Sequence, residues 1–190
     1  MHIPRNGGKW LTYKIRDLGS HIKGVGREVA LIDSHPRRYE YVKTGRHGTL
    51  QSIYDLVDVD LSGYFKFCIS RHPYTRFQSA FTYYVNESQT SKNAGFNTPR
   101  QMMEWLEKNG ATKNHVFLQS HWADDRFDKV FRFEDIEKID FSKYVPEMSN
   151  YDKRSNPIVK TEYQEELDDD IKERVYKFYR EDFDRFGYQP

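Results

Sequence analysis

The stretch Pro4, Arg5, Asn6, Gly7, Gly8, Lys9, Trp10 sets two basic side chains around a pair of glycines. Glycine lets a backbone approach a ligand closely, and consecutive N–H groups at the start of a helix can surround a phosphate. An ordinary tight turn with basic neighbours is an equally fair reading of these residues alone. The string departs from the phosphate loop of nucleotide-triphosphate enzymes. The first glycine of that pattern is missing, and Trp10 stands where a Ser or Thr would hold magnesium. An anion site without a metal fits these residues better.

A second stretch runs from Arg71 to Ser79 and reads RHPYTRFQS. Tyr64 to Ser70 (YFKFCIS) is the clearest buried strand in the sequence, Pro73 sets a turn, and Tyr74 to Val85 reads as an aromatic-rich helix. Arg71 then ends a strand while Ser79 lies one to two turns into the next helix, so both can face one anion. A guanidinium fork suits phosphate. The structural alternative pairs Arg71 and Arg76 with carboxylates such as Glu134 or Asp135 and leaves Ser79 as a small packing residue.

Proton transfer points to histidine, whose imidazole titrates near neutral pH. His47 precedes Leu50, Ile53, Tyr54 and Val57 at helical spacing, so it is expected at a helix start, where a histidine can also be just a cap or a surface residue. His72 lies inside the second turn, and His115 and His121 flank Gln119 without the spacing of metal ligands. Asp168, Asp169 and Asp170 are read as a helix start, where negative charge is favoured, and not as metal ligands.

These groups need a scaffold, and the length of 190 residues suits one domain, residues 1–190, with one core. Hydrophobic residues make up only 37% of the chain, but 13 Phe, 14 Tyr and 3 Trp supply the bulk that disordered chains lack. With 30 Lys+Arg against 29 Asp+Glu there is no general attraction to nucleic acid, so an anion site must be local. Cys68 is the single cysteine, which excludes an intrachain disulfide, and its apolar neighbours predict a buried thiol. No apolar run reaches the length of a membrane span and no signal-peptide core opens the sequence, so a soluble, cytoplasmic protein is expected.

Strand-like and helix-like segments alternate as in an α/β domain. Met1 to Pro4 reads as the end of a strand, Lys9 to Leu18 as a helix, Tyr39 to Val42 as a short strand and Lys129 to Phe133 as another. Asn86 to Asn97 is polar and aperiodic and is expected to be a surface loop. Thr98, Pro99 and Gln101 form a capping pattern, and Gly110 marks the end of the helix they open. Ile171, Val175, Phe178 and Tyr179 share one face of a C-terminal helix, which is expected to pack on the sheet.

The two basic motifs, in their order and separation, resemble the 5′-phosphosulfate loop and 3′-phosphate motif of sulfotransferases that use 3′-phosphoadenosine-5′-phosphosulfate (PAPS). The likeness is greatest to the carbohydrate sulfotransferases, whose loop is of Pro-Lys-x-Gly-Gly-Thr-Ser type. Arg46-His47-Gly48-Thr49, His115 to Gln119 (HVFLQ), Phe131 to Asp135 (FRFED) and Tyr179 to Tyr188 (YREDFDRFGY) follow in family order, so the resemblance covers nearly the whole chain. It implies a P-loop-like, three-layer α/β fold with a central, mainly parallel sheet flanked by helices. It implies a PAPS-binding set of Arg5, Asn6, Gly7, Gly8, Lys9, Trp10, Arg71, Ser79 and Arg154, the last in a segment where family members often close over the nucleotide. A solvated basic loop is the alternative for Lys153, Arg154 and Asn156. His47 is the implied general base, and Arg5 matches the lysine beside the bridging oxygen, where a cation stabilises the departing phosphate. No metal is implied, and the acceptor is a hydroxyl of a carbohydrate.

Arg5 replaces the family's lysine with a planar guanidinium, and Lys9-Trp10 replaces its hydroxyl pair. A module that binds nucleotide or glycan without turnover is therefore one rival reading, and a magnesium-dependent kinase of the same fold is another. Arg37, Arg38, Lys43 and Arg46 could favour an anionic sugar, or form a solvated face.

Overall fold

The computed structural model describes residues 3, 5–6, 29–32, 39–42, 51, 62, 65–87, 96–113, 115–144 and 166–190. The expected helix at Lys9 to Leu18 lies outside these residues. So does the helix expected over His47 to Val57, except Gln51, which is helical. The chain divides into two compact units, Met1–Ile69 with Trp122–Val159, and Ser70–His121 with Lys160–Pro190.

In the first unit, β1 (Val29–Ile32) and β2 (Tyr39–Val42) form an antiparallel pair, with Val29 opposite Val42 and Ile32 opposite Tyr39. The second pair, β3 (Phe67–Ser70) and β4 (Lys129–Arg132), is parallel. Both strands are set at their starting end by Lys66, whose carbonyl accepts the N–H groups of Asp128 (2.8 Å) and Lys129 (3.2 Å). The Lys66 N–H in turn donates to the Asp128 carboxylate at 2.6 Å, which holds that carboxyl below the usual range.

Ile69 packs with Phe131, Ile136 and Phe141, and Phe67 lies against them, its ring edge-on to Phe131. Cys68 is buried, as its neighbours predict. The strand expected over Lys129 to Phe133 stops at Arg132, and Phe133–Lys138 turns into a 3-10 helix with Glu134 and Asp135 in its first turn. Acidic groups are favoured at that end of a helix. Ile3 is buried but belongs to no strand.

Apart from Ser70 at the end of β3, the elements of the second unit among the described residues are helical: α1 (Pro73–Thr82), a π-helical turn at Tyr83–Glu87, α2 (Pro99–Asn109), a 3-10 turn at Gln119–His121, α3 (Asp169–Phe178) and α4 (Arg180–Phe186). The π turn takes Asn86 and Glu87, the first two residues of the segment expected to be loop.

Thr98 caps α2 by accepting the Gln101 N–H at 3.2 Å, with Pro99 in the first turn. The Gln101 side chain reaches back to the Asn97 N–H at 2.7 Å. Gly110 closes the helix at φ 70° and donates to the Leu106 carbonyl at 2.7 Å. Asp168 caps α3 through the Ile171 N–H at 2.8 Å, and that bond lowers the carboxyl's pKa. Arg100 joins α2 to α3 by binding Asp168 at 2.9 Å and Asp170 at 2.6 Å.

Phe77, Ala80, Met102, Met103, Leu106, Ile171, Val175, Tyr179 and Phe183 form the core of this unit. Ile171, Val175 and Tyr179 are the buried members of the expected α3 face, with Phe178 partly buried beside them, but among the described residues the face packs against α1 and α2 and not on the sheet as expected. The Tyr179 hydroxyl donates to the Val116 carbonyl at 2.8 Å, and burial raises its pKa well above the usual phenol value.

Candidate functional site

The turn from β3 into α1 carries Arg71. Its backbone N–H donates to Gln119 Oε1 at 2.8 Å, and its carbonyl accepts from Gln119 Nε2 at 2.8 Å. Arg71 Nε donates to Thr75 Oγ1 at 3.2 Å, and that hydroxyl donates to the His72 carbonyl at 3.1 Å. Arg71 is thus fixed at its backbone and at the base of its guanidinium, while the residue remains partly exposed. Pro73 in the first turn of α1 presets the helical backbone, and His72 is the cap.

His72 Nδ1 accepts the Tyr74 N–H at 3.3 Å, so its proton sits on Nε2, which donates to the Gln189 carbonyl at 3.0 Å. Ser70 Oγ and the Tyr188 hydroxyl lie 3.0 Å apart. The end of the chain therefore lies against the same turn.

Behind Arg71 is a buried polar layer. Gln119 and Asp182 are both 0% exposed. The Asp182 carboxylate accepts the N–H of Gln119 with one oxygen and that of Ser120 with the other, each at 2.9 Å. Burial pushes the Asp182 carboxyl up from its ordinary pKa, against the opposing pull of the Arg76 charge and of these N–H groups. Arg76 is 2% exposed and donates to the Phe117 carbonyl at 2.7 Å. The two arginines of the motif differ accordingly: Arg76 is built into the interior, and Arg71 stands at the junction.

Ser79, on α1 in the same unit, is 2% exposed. Arg5 and Asn6 belong to the other unit. Arg5 takes a left-handed backbone, φ 67°, which is uncommon for a residue with a Cβ. Asn6 is buried and donates from Nδ2 to the Ile69 carbonyl at 2.7 Å, while its N–H donates to the Ile3 carbonyl at 3.3 Å. Gly7, Gly8, Lys9, Trp10, His47 and Arg154 lie outside the described residues.

Gln119 and Asp182 have no role in the sequence reading, although the segments HVFLQ and YREDFDRFGY that hold them stand out there. Their partners lie 48 and 63 residues away. The one local signal is a polar residue at the end of the apolar run Val116, Phe117, Leu118.

Arg71 fits a phosphate ligand, being charged, partly exposed and fixed where a strand meets a helix. The Ser79 hydroxyl fits only if α1 yields access to it. Among the described residues no group of three His, Cys, Asp or Glu side chains is arranged to hold a metal ion, and no helix is long and apolar enough to cross a membrane.

A family model described as "Sulfotransferase family" matches residues 31–189. The match includes His47, Arg71 and Ser79 and begins after the stretch Pro4 to Trp10. Neither a curated protein nor a solved structure matches the chain.

Proposed function

The chain belongs to the sulfotransferase family, and on that premise we propose that it transfers a sulfuryl group from PAPS to a hydroxyl of a carbohydrate. Residues 1–190 act in this reading as one sulfotransferase domain, with a P-loop-like, three-layer architecture around a mainly parallel sheet. The parallel β3 and β4 pair and the strand-to-helix turn at Arg71 support it. The observation that carries the proposal is the family match, which runs through the whole Arg71 to Ser79 motif.

PAPS supplies an activated sulfur whose bond to the phosphate oxygen is broken in the reaction. Arg71 binds its 3′-phosphate, joined by Ser79 when α1 yields access to that buried hydroxyl. The loop Asn6, Gly7, Gly8, Lys9 and Trp10 binds the 5′-phosphosulfate, mainly through backbone N–H groups. His47 takes the proton of the acceptor hydroxyl as its oxygen attacks sulfur. Arg5 stabilises the charge left on the phosphate oxygen of the product, 3′-phosphoadenosine-5′-phosphate (PAP). Arg154 lies in the segment that closes over the nucleotide. A sulfuryl group carries less negative charge than a phosphoryl group, so fixed cations and N–H donors suffice for its transfer.

Calorimetric titration with PAP in the absence of magnesium tests the reading, with ATP in parallel and Arg71→Ala as the control. PAP should bind, and Arg71→Ala should weaken it by about 10- to 100-fold, the worth of a charge-assisted hydrogen bond. Magnesium-dependent binding of ATP with none of PAP would overturn the proposal in favour of a kinase. PAP binding without transfer to any of a panel of glycans would favour a binding module.

A further inference from the structure

We propose that Gln119 and Asp182 are positioning residues for 3′-phosphate recognition, Asp182 fixing Gln119 and Gln119 fixing the backbone of Arg71. The inference rests on the reading of Arg71 as the ligand of that phosphate.

The geometry forms a chain of three links. Arg71 is the first residue beyond β3, so the strand ladder ends just before it. Its N–H and C=O would have to find partners elsewhere. Gln119 uses both ends of its amide on this one residue, accepting the N–H and donating to the carbonyl, each at 2.8 Å. The pairing imitates the exchange a neighbouring strand would make. It fixes the main chain of Arg71 and thereby the base from which the guanidinium projects.

Gln119 is fixed in turn. It opens the 3-10 turn Gln119–His121, and the Asp182 carboxylate accepts the first two N–H groups of that turn at 2.9 Å. A fully buried carboxylate is costly unless it is hydrogen-bonded and balanced, and here Arg76 supplies the opposing charge. An apolar side chain at position 182 would fill the space, but it could not orient two consecutive N–H groups. The arrangement suits a site that must hold a cation in one direction.

A merely structural role would weaken every ligand alike or lower stability alone. A positioning role acts on the 3′-phosphate specifically, and PAP differs from AMP only in carrying that group. The experiment measures PAP and AMP affinities for the wild type, Gln119→Met, Asp182→Asn and Arg71→Ala, with folding followed by circular dichroism. Gln119→Met should lose about tenfold or more in PAP affinity while AMP affinity changes by less than about twofold. Added to Arg71→Ala, it should cost less than about twofold more, because the two residues act as one unit. Asp182→Asn, which keeps the shape, should show the same selectivity to a smaller degree.

A Gln119→Met protein that keeps the wild-type ratio of PAP to AMP affinity overturns the inference, and so does equal loss of both ligands. If Arg71→Ala loses PAP and Gln119→Met does not, the proposed function stands and this inference falls. If the wild type does not bind PAP, both fall. A measurement that needs no variant is the nuclear magnetic resonance signal of the Gln119 side-chain amide. It should shift on adding PAP and stay in place on adding AMP; no shift with bound PAP overturns the inference.

Discussion

Asp182 accepts the backbone N–H of Ser120, 62 residues earlier in the chain, at 2.9 Å. Its second oxygen takes the neighbouring N–H of Gln119, so one buried side chain ties α4 to the 3-10 turn. Asp182→Ala would take this acceptor from the N–H groups of Gln119 and Ser120 and remove a negative charge that interacts with Arg76. The expected loss of stability is about 3–5 kcal/mol, the range for breaking a buried charged network. Asp182→Asn keeps an acceptor oxygen and should lose less, about 1–3 kcal/mol. Urea denaturation of the three proteins checks the order.

Gly110 ends α2 at φ 70° and ψ 178°, a conformation that residues with a Cβ rarely adopt. An added Cβ would meet no atom within 4 Å, so its whole cost is in the backbone. Gly110→Ala should therefore destabilise by about 1–3 kcal/mol without disturbing the core. Thermal unfolding gives the loss, and an unchanged near-ultraviolet spectrum shows the intact core.

Two carboxylates at the α2 and α3 junction set an acid limit. The Ile171 N–H holds Asp168 below its ordinary pKa, and the Arg174 guanidinium does the same for Glu107. A carboxyl lowered in the folded state adds stability that is fully present above its unfolded value, roughly 3.9 for Asp and 4.3 for Glu. That contribution is lost as the pH falls through the lowered folded values. Asp168→Asn keeps a cap but has no charge to titrate, so its stability should fall less steeply with acid. Urea midpoints taken from neutral pH downward should converge for the two proteins in acid.

His47 is the proposed base, and its removal should act on turnover and not on nucleotide binding. His47→Ala is expected to lower kcat by about 10²- to 10⁴-fold, the usual worth of general-base catalysis. PAP affinity should stay within about twofold of the wild type. An equal fall in PAP affinity would mean that His47 contacts the nucleotide instead.

Local chemistry made much of this fold readable. Thr98, Pro99 and Gly110 mark both ends of α2, Asp168 marks the start of α3, and the apolar Phe67, Cys68 and Ile69 mark β3. Each signal acts over a few residues, the scale at which capping and strand patterns operate. The strand at Tyr39–Val42 was legible in the same way. Its partner Val29–Ile32 was not, because four apolar residues fit a strand or a helix segment equally well. The π turn at Tyr83–Glu87 continues the aromatic pattern of α1, and periodicity does not register one extra residue per turn.

Within the candidate site, Arg71 was legible from its place after a strand and before a proline. The contrast between Arg71 and Arg76 was not, since it depends on the distant partners Gln119, Phe117 and Asp182. Glutamine and aspartate are usually exposed, so sequence gives little warning of a buried pair.

Cys68, 0% exposed in β3, is the only thiol in the chain. A thiol reagent is attacked by the thiolate and must reach it, so labelling must wait until the strand opens. The labelling rate therefore reports the local opening free energy of the strand that leads into Arg71. A ligand that binds only the closed form slows that reaction in proportion to its occupancy, which turns one native atom into a stopwatch for binding.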